Sequence, residues 1–197
     1  MSTSSGAFEK VKGIFIIFLL IFITPVGLIL MWFLAKWSKK VKLVLTFVFL
    51  ILMILELFTI IFKNFVVVGN SMSPALNEGQ KIVINRLDKS PDRGDIIVVG
   101  VDQVTSSIKP TVRRVVGLPN EEVEIKGGRV FINDEILNEP YLGKVEGDIN
   151  QESLSLSSSQ YFVLADNRDV ENYKGRDIAM WSIIPKNFIL GKYLFSY

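Results

Sequence analysis

No charged residue occurs between Ile14 and Ala35, and Glu56 is the only one in a second apolar run from Leu43 to Phe62. Each run is roughly 20 residues, about the length that crosses the hydrocarbon core of a bilayer as a helix. In lipid the backbone must satisfy its own hydrogen bonds, which leaves an α-helix as the only form a single such segment can take. Two transmembrane helices are therefore expected, over 14–35 and 43–63, after a short polar tail at 1–13. Pro25 and Gly27 mark a kink in the first. A cleavable secretory signal fits the first run poorly. Its apolar stretch is too long, and no small-x-small site ends it before Trp37.

The loop 36–42, Lys36-Trp37-Ser38-Lys39-Lys40-Val41-Lys42, carries four lysines. In so short a connection positive charge sets orientation, which puts the loop on the cytoplasmic side and both termini outside. Lys10 and Lys12 pull weakly the other way. The expectation is a two-pass protein of the cell membrane with most of its chain extracytoplasmic. Glu56 is costly in lipid. It lies about 9 Å along a helix from Phe62, so it is protonated, snorkels to the boundary, or faces Lys63 on the same helical side.

Composition narrows the chemistry. Hydrophobic residues make up 49% of the 197, with the surplus in the first third, and the net charge of +2 gives no reason to expect nucleic acid as a partner. Cysteine is absent, which removes disulfides, thiol catalysis and thiolate metal sites. Histidine is absent too, and with it the usual general base of a serine triad and the commonest metal ligand. Any hydrolytic mechanism has to use lysine, a carboxylate or an amine. No nucleotide-binding glycine loop is present, so no cofactor and no metal are expected.

Beyond Asn64 short β-type runs alternate with turn residues. Strands are expected near Phe65–Val68, Lys81–Asn85, Asp95–Val99, Thr111–Val116, Glu122–Lys126, Arg129–Asn133, Tyr161–Leu164 and Phe188–Phe195. Gly127-Gly128 between two of them suits the positive φ values of a primed hairpin turn. The Ser153–Gln160 stretch reads as a solvated loop. The fold class expected is two N-terminal transmembrane helices followed by a mainly β domain over 64–197.

That domain opens on Gly69-Asn70-Ser71-Met72-Ser73-Pro74-Ala75-Leu76. Such a string is either an ordinary turn or a mount for an exposed hydroxyl, with Gly69 removing bulk just before Ser71. The segment resembles the serine box of the type I signal peptidases, Ser-Met-x-Pro-Thr-Leu, at all but Ala75. Three further blocks follow in that family's order: Pro91-Asp92-Arg93-Gly94-Asp95-Ile96-Ile97-Val98-Val99, Arg113-Arg114-Val115-Val116-Gly117-Leu118-Pro119, and Asp166-Asn167-Arg168-Asp169. The resemblance covers most of the chain beyond the apolar runs. It implies a membrane-bound serine endopeptidase that removes leader peptides from exported precursors, with Ser71 as nucleophile and a neutral lysine as base.

Two departures bear on that mechanism. Where bacterial members carry the lysine, this chain has Arg113. The fourth block continues Val170-Glu171-Asn172-Tyr173-Lys174-Gly175-Arg176, one residue longer than usual and without its serines, and Ala165 replaces a glycine. Lys174 then either supplies the displaced amine or is a solvated loop lysine. The resemblance also implies the Ser71 amide as oxyanion donor, with Gly69, Asn70 and Met72 beside the substrate, and a bracing role for Asp166, Arg168 and Arg176. Asp95 is expected to hold a strand. Phe65 and Met72 either dip into the lipid surface or belong to the core. Arg113 keeps a second reading open, a catalytically impaired relative that binds precursors or an assembly partner at the membrane.

Overall fold

The computed structural model describes residues 24–100, 110–142, 150–168 and 181–197. They fall into two compact units, divided between Thr59 and Ile60.

The first unit is helical, with α1 over Thr24–Leu34 and α2 over Lys39–Ile61. α2 begins four residues ahead of the expected Leu43 because Ser38 caps it. Its Oγ accepts from Val41 N at 3.4 Å, satisfying one of the donors that a helix start leaves open. Lys39, Lys40 and Lys42 are therefore helical. Met31 and Ala35 are buried against Leu28, Trp37, Leu45 and Phe49. Lys42 Nζ donates to Trp32 O at 2.9 Å, a cation on a carbonyl of the last turn of α1. None of the residues of α2 is buried, and the helix is long and apolar enough to cross a membrane. It is the one such helix among the described residues. Of the first expected span, 24–34 is helical and 14–23 lies outside the described residues.

The second unit is mainly β. Its strands are β1 (Phe62–Val66), β2 (Lys81–Asn85), β3 (Ile96–Val99), β4 (Thr111–Gly117), β5 (Glu122–Lys126), β6 (Arg129–Ile132), β7 (Glu135–Ile136), β8 (Gln151–Ser155), β9 (Gln160–Leu164), β10 (Trp181–Pro185) and β11 (Ile189–Ser196). One sheet has the order β1-β2-β11-β3-β4-β9-β10 and the other β7-β6-β5-β8, with antiparallel pairing throughout. β1 starts at Phe62, directly after α2. Lys63 is thus a strand residue with Nζ 5.3 Å from the Phe65 ring centre, so it does not share a helical face with Glu56.

All four residues of β3 and six of the seven of β4 are buried, the mark of strands covered on both faces. Successive side chains point to opposite faces, so the adjacent Arg113 and Arg114 are both buried on different sides of one sheet. Gly117 ends β4 where a Cβ would sit 2.6 Å from Val123 Cγ2 and 2.8 Å from Phe162 Cβ, a gap that only glycine fits. The β5–β6 turn has φ values of +54° at Gly127 and +76° at Gly128, as a primed hairpin requires. The Ser-rich stretch differs from its expected loop. Gln151–Ser155 forms β8, because pairing Val123 with Leu154 lets Leu154 and Leu156 join the cluster around Phe162.

Candidate active site

Ser71 is half-buried in the turn that follows β1. Gly69 enters that turn with φ +75°, and a Cβ there would meet nothing within 4 Å. The glycine is needed for its left-handed backbone and not, as the sequence suggests, for lack of bulk. Ser73 N donates to Asn70 O at 3.1 Å and Leu76 N to Met72 O at 2.8 Å, closing the turn on itself. Met72 and Leu76 are fully buried with Val67, Ile82, Ile84 and Val98, and peg the turn to the sheet. The Met72 side chain is a core residue, the second of the two places the sequence left open for it. Phe65 packs against the same cluster.

β4 brings Arg113 to this turn. Its Nη1 donates to Ser71 Oγ at 3.2 Å and to Val112 O at 2.8 Å, and the residue is only 3% exposed. A guanidinium has donors and no acceptor. In this geometry Arg113 can orient the hydroxyl oxygen and stabilise negative charge near it, but it cannot receive the hydroxyl proton.

The 165–168 segment closes the other side. Asn167 N donates to Ser71 O at 3.0 Å, and Asn167 Nδ2 to Asn70 O at 3.2 Å. Its neighbours are fixed by buried ion pairs. Asp166 takes a bidentate fork from Arg114, Nε at 2.8 Å and Nη2 at 2.5 Å, while Arg114 Nη1 donates to Gly94 O at 2.6 Å. Arg168 forks onto Glu139 at 2.8 and 2.5 Å, and Tyr141 OH donates to Glu139 Oε1 at 2.7 Å. Burial pushes the Asp166 carboxyl above the usual aspartate range while Arg114 pulls it back. Burial and the adjacent Glu139 carboxylate drive the Tyr141 phenol upward as well. Ala165 is fully buried.

Around this centre the second block is structural. Asp95 Oδ2 accepts from Lys192 Nζ at 2.6 Å and from Asp92 N at 2.7 Å, tying the β3 entry to β11. Arg93 pairs with Glu121 at 2.5 Å and donates to Val116 O. Among the described residues no buried side-chain polar atom lacks a partner, and no group of three His, Cys, Asp or Glu residues is placed to hold a metal.

Of the site residues read from sequence, Gly69, Asn70, Ser71, Arg113, Asp166 and Arg168 come together. Lys174 and Arg176 lie outside the described residues. Sequence reasoning passed over Arg114, Glu139 and Tyr141. The second arginine of Arg113-Arg114 was an available signal, since a charged pair inside an apolar strand needs partners on both faces.

The family model described as signal peptidase, peptidase S26, matches residues 40–197. Signal peptidase I U of Bacillus subtilis strain 168 is 30% identical over 146 residues, which cover 68% of this chain and 76% of that protein. Signal peptidase I of Leptolyngbya laminosa is 30% identical over 132 residues, covering 63% of each chain. A crystal structure of a signal peptidase I from Enterococcus faecalis V583 shares 26% identity over 52% of this chain and 95% of that one, with a TM-score of 0.39. The family match spans the serine turn, both arginines of β4 and the Asp-Asn-Arg segment: the chain belongs to the type I signal peptidases, peptidase family S26.

Proposed function

We propose that this protein is a membrane-bound serine endopeptidase that removes N-terminal signal peptides from exported proteins, with Ser71 as nucleophile and an amine as general base. The observation that carries the reading is the junction of three sequence blocks at one serine turn. The serine turn is bonded on one side to Arg113 of β4 and on the other to Asn167.

In this mechanism Ser71 Oγ attacks the scissile carbonyl as a base takes its proton, the tetrahedral intermediate collapses as the base returns that proton to the leaving amine, and water hydrolyses the acyl-enzyme that remains. Arg113 is not the base. Holding a guanidinium neutral near pH 7 costs roughly 7–9 kcal/mol, since arginine is effectively always protonated. Its part is to hold Oγ in place and to offset developing charge. Lys174 is our candidate for the amine; a lysine in that role needs a pKa below the ordinary value, which burial is one way to supply. The Ser71 amide serves the oxyanion, since Gly69 has no hydroxyl to offer.

An extended leader pairs with strand edges near the serine. β1 is an edge strand, and the β4–β9 register begins only at Arg114 and Leu164, leaving Thr111 to Arg113 without a described strand on that side. The preferred leader has small residues one and three positions before the cut. α2 is the anchor, and the lysines at its start assign the β unit to the extracytoplasmic side of the cell membrane. A second reading, an impaired relative that binds precursors without cutting them, is favoured by the permanently charged donor on Oγ.

Detergent-solubilised full-length protein and a precursor with a small-x-small site separate the two. Cleavage that falls by about 10²-fold or more in Lys174→Ala at unchanged thermal stability supports the amine. Intact precursor under all conditions supports the binder.

A further inference from the structure

Glu139 and Tyr141 stand apart from all four sequence blocks, yet they reach both charged residues that flank Asn167, Arg168 directly and Asp166 through Arg114. The Glu139 carboxylate receives the Arg168 fork and the Tyr141 hydroxyl together, and its side chain is 6% exposed. The Tyr141 ring lies 3.9 Å from Arg114 Cζ, on the guanidinium whose edge holds Asp166. Arg168 also turns back on its own segment, with Nε donating to Ala165 O at 3.4 Å.

We infer that Glu139 and Tyr141 are positioning residues for Ser71, gripping Asp166 through Arg114 at one end of the 166–168 segment and Arg168 at the other. The inference rests on the serine-peptidase reading. Between the two grips sits Asn167, whose main-chain and side-chain donors hold the carbonyls of Ser71 and Asn70. Loosening either grip therefore moves the serine turn without altering any group that touches it. Charge gives the grip its strength. Two buried carboxylates, Glu139 and Asp166, answer two buried guanidiniums, Arg168 and Arg114, in forked geometry. Converting Glu139 to an amide leaves Arg168 with carbonyl acceptors alone among the described residues, which is costly for a buried cation.

A general brace and a positioning device predict different results. Glu139→Gln keeps the shape and removes the charge; Tyr141→Phe keeps the ring on Arg114 and removes the bond to Glu139. Positioning predicts that Glu139→Gln lowers kcat on a small-x-small precursor by about tenfold with KM within about twofold, and that Tyr141→Phe lowers kcat by roughly threefold. Hydrogen exchange on the full chain in detergent gives a readout that needs no turnover. The Asn167 amide, which donates to Ser71 O, exchanges about tenfold faster in Glu139→Gln, while the amides of β3 and β9 keep their wild-type rates. Glu139→Asp restores kcat in part. Unchanged kcat and unchanged Asn167 exchange overturn the inference, and so does acceleration spread equally over β3 and β9. If the wild-type protein cuts no precursor, the peptidase reading fails on that result, and Asn167 exchange alone decides whether Glu139 holds the serine turn.

Discussion

Arg113 Nη1 donates to Ser71 Oγ across 3.2 Å, so this neighbour of the hydroxyl fills one of its acceptor sites and cannot take its proton. On the proposed mechanism hydrolysis then depends on an amine elsewhere, and the third block contributes orientation and charge. A lysine at position 113, as the family resemblance implies, and the arginine found here differ in the chemistry they permit.

Arg113→Lys tests that division directly. A buried lysine there has its pKa lowered and is partly neutral at working pH, which arginine never is. Precursor cleavage is expected to rise by about tenfold or more, with the gain increasing toward alkaline pH as the amine loses its proton. A pH series of kcat/KM measures it. No gain at any pH means that the pocket is built around the guanidinium.

Asp166→Ala removes the partner of a buried arginine. Arg114 is left holding a carbonyl and an aromatic face, an arrangement that costs about 3–5 kcal/mol. Urea unfolding of the purified protein is expected to show a loss of that order. A double-mutant cycle with Arg114→Met is expected to recover part of it, since removing both charges is cheaper than stranding one.

Lys192 sets a pH dependence of the fold through its contact with Asp95. Its hydrogen bond to Asp95, opposed by burial and reinforced by the charges of Asp95, Asp88 and Asp92, raises its pKa above the ordinary 10.5. A cation whose folded pKa is raised stabilises the fold fully below its unfolded value, and the benefit disappears as pH climbs through the folded value. Thermal unfolding is therefore expected to show a Lys192-dependent decline that begins above about pH 10, near the unfolded lysine value. Lys192→Met lowers Tm below that range and removes the decline.

Much of the fold was legible because local signals agreed with it. β2 and β5 match the ranges read from sequence, and the Gly127-Gly128 hairpin followed from turn chemistry alone. β8 was not legible. Its serines read as loop, and only pairing with β5 across a gap in sequence makes Leu154 and Leu156 interior. β10 was missed for a related reason: Trp181–Pro185 is short, ends in proline, and is defined by its ladder with β9. At the site, the serine turn and Asp166-Asn167-Arg168 could be picked out by resemblance. The Glu139–Arg168 pair could not, since it joins positions 29 residues apart and Glu-Pro-Tyr looks like any polar connection. Ser38 as a helix cap was visible in principle, but the lysine cluster around it drew the reading toward a loop.

The measurement that bears most directly on the account is the fate of a precursor carrying a small-x-small site when incubated with wild-type protein and with Ser71→Ala. Cleavage at that site by the wild type, reduced to background in Ser71→Ala with an unchanged unfolding temperature, is the predicted result. Equal cleavage by both proteins would contradict Ser71 as the nucleophile.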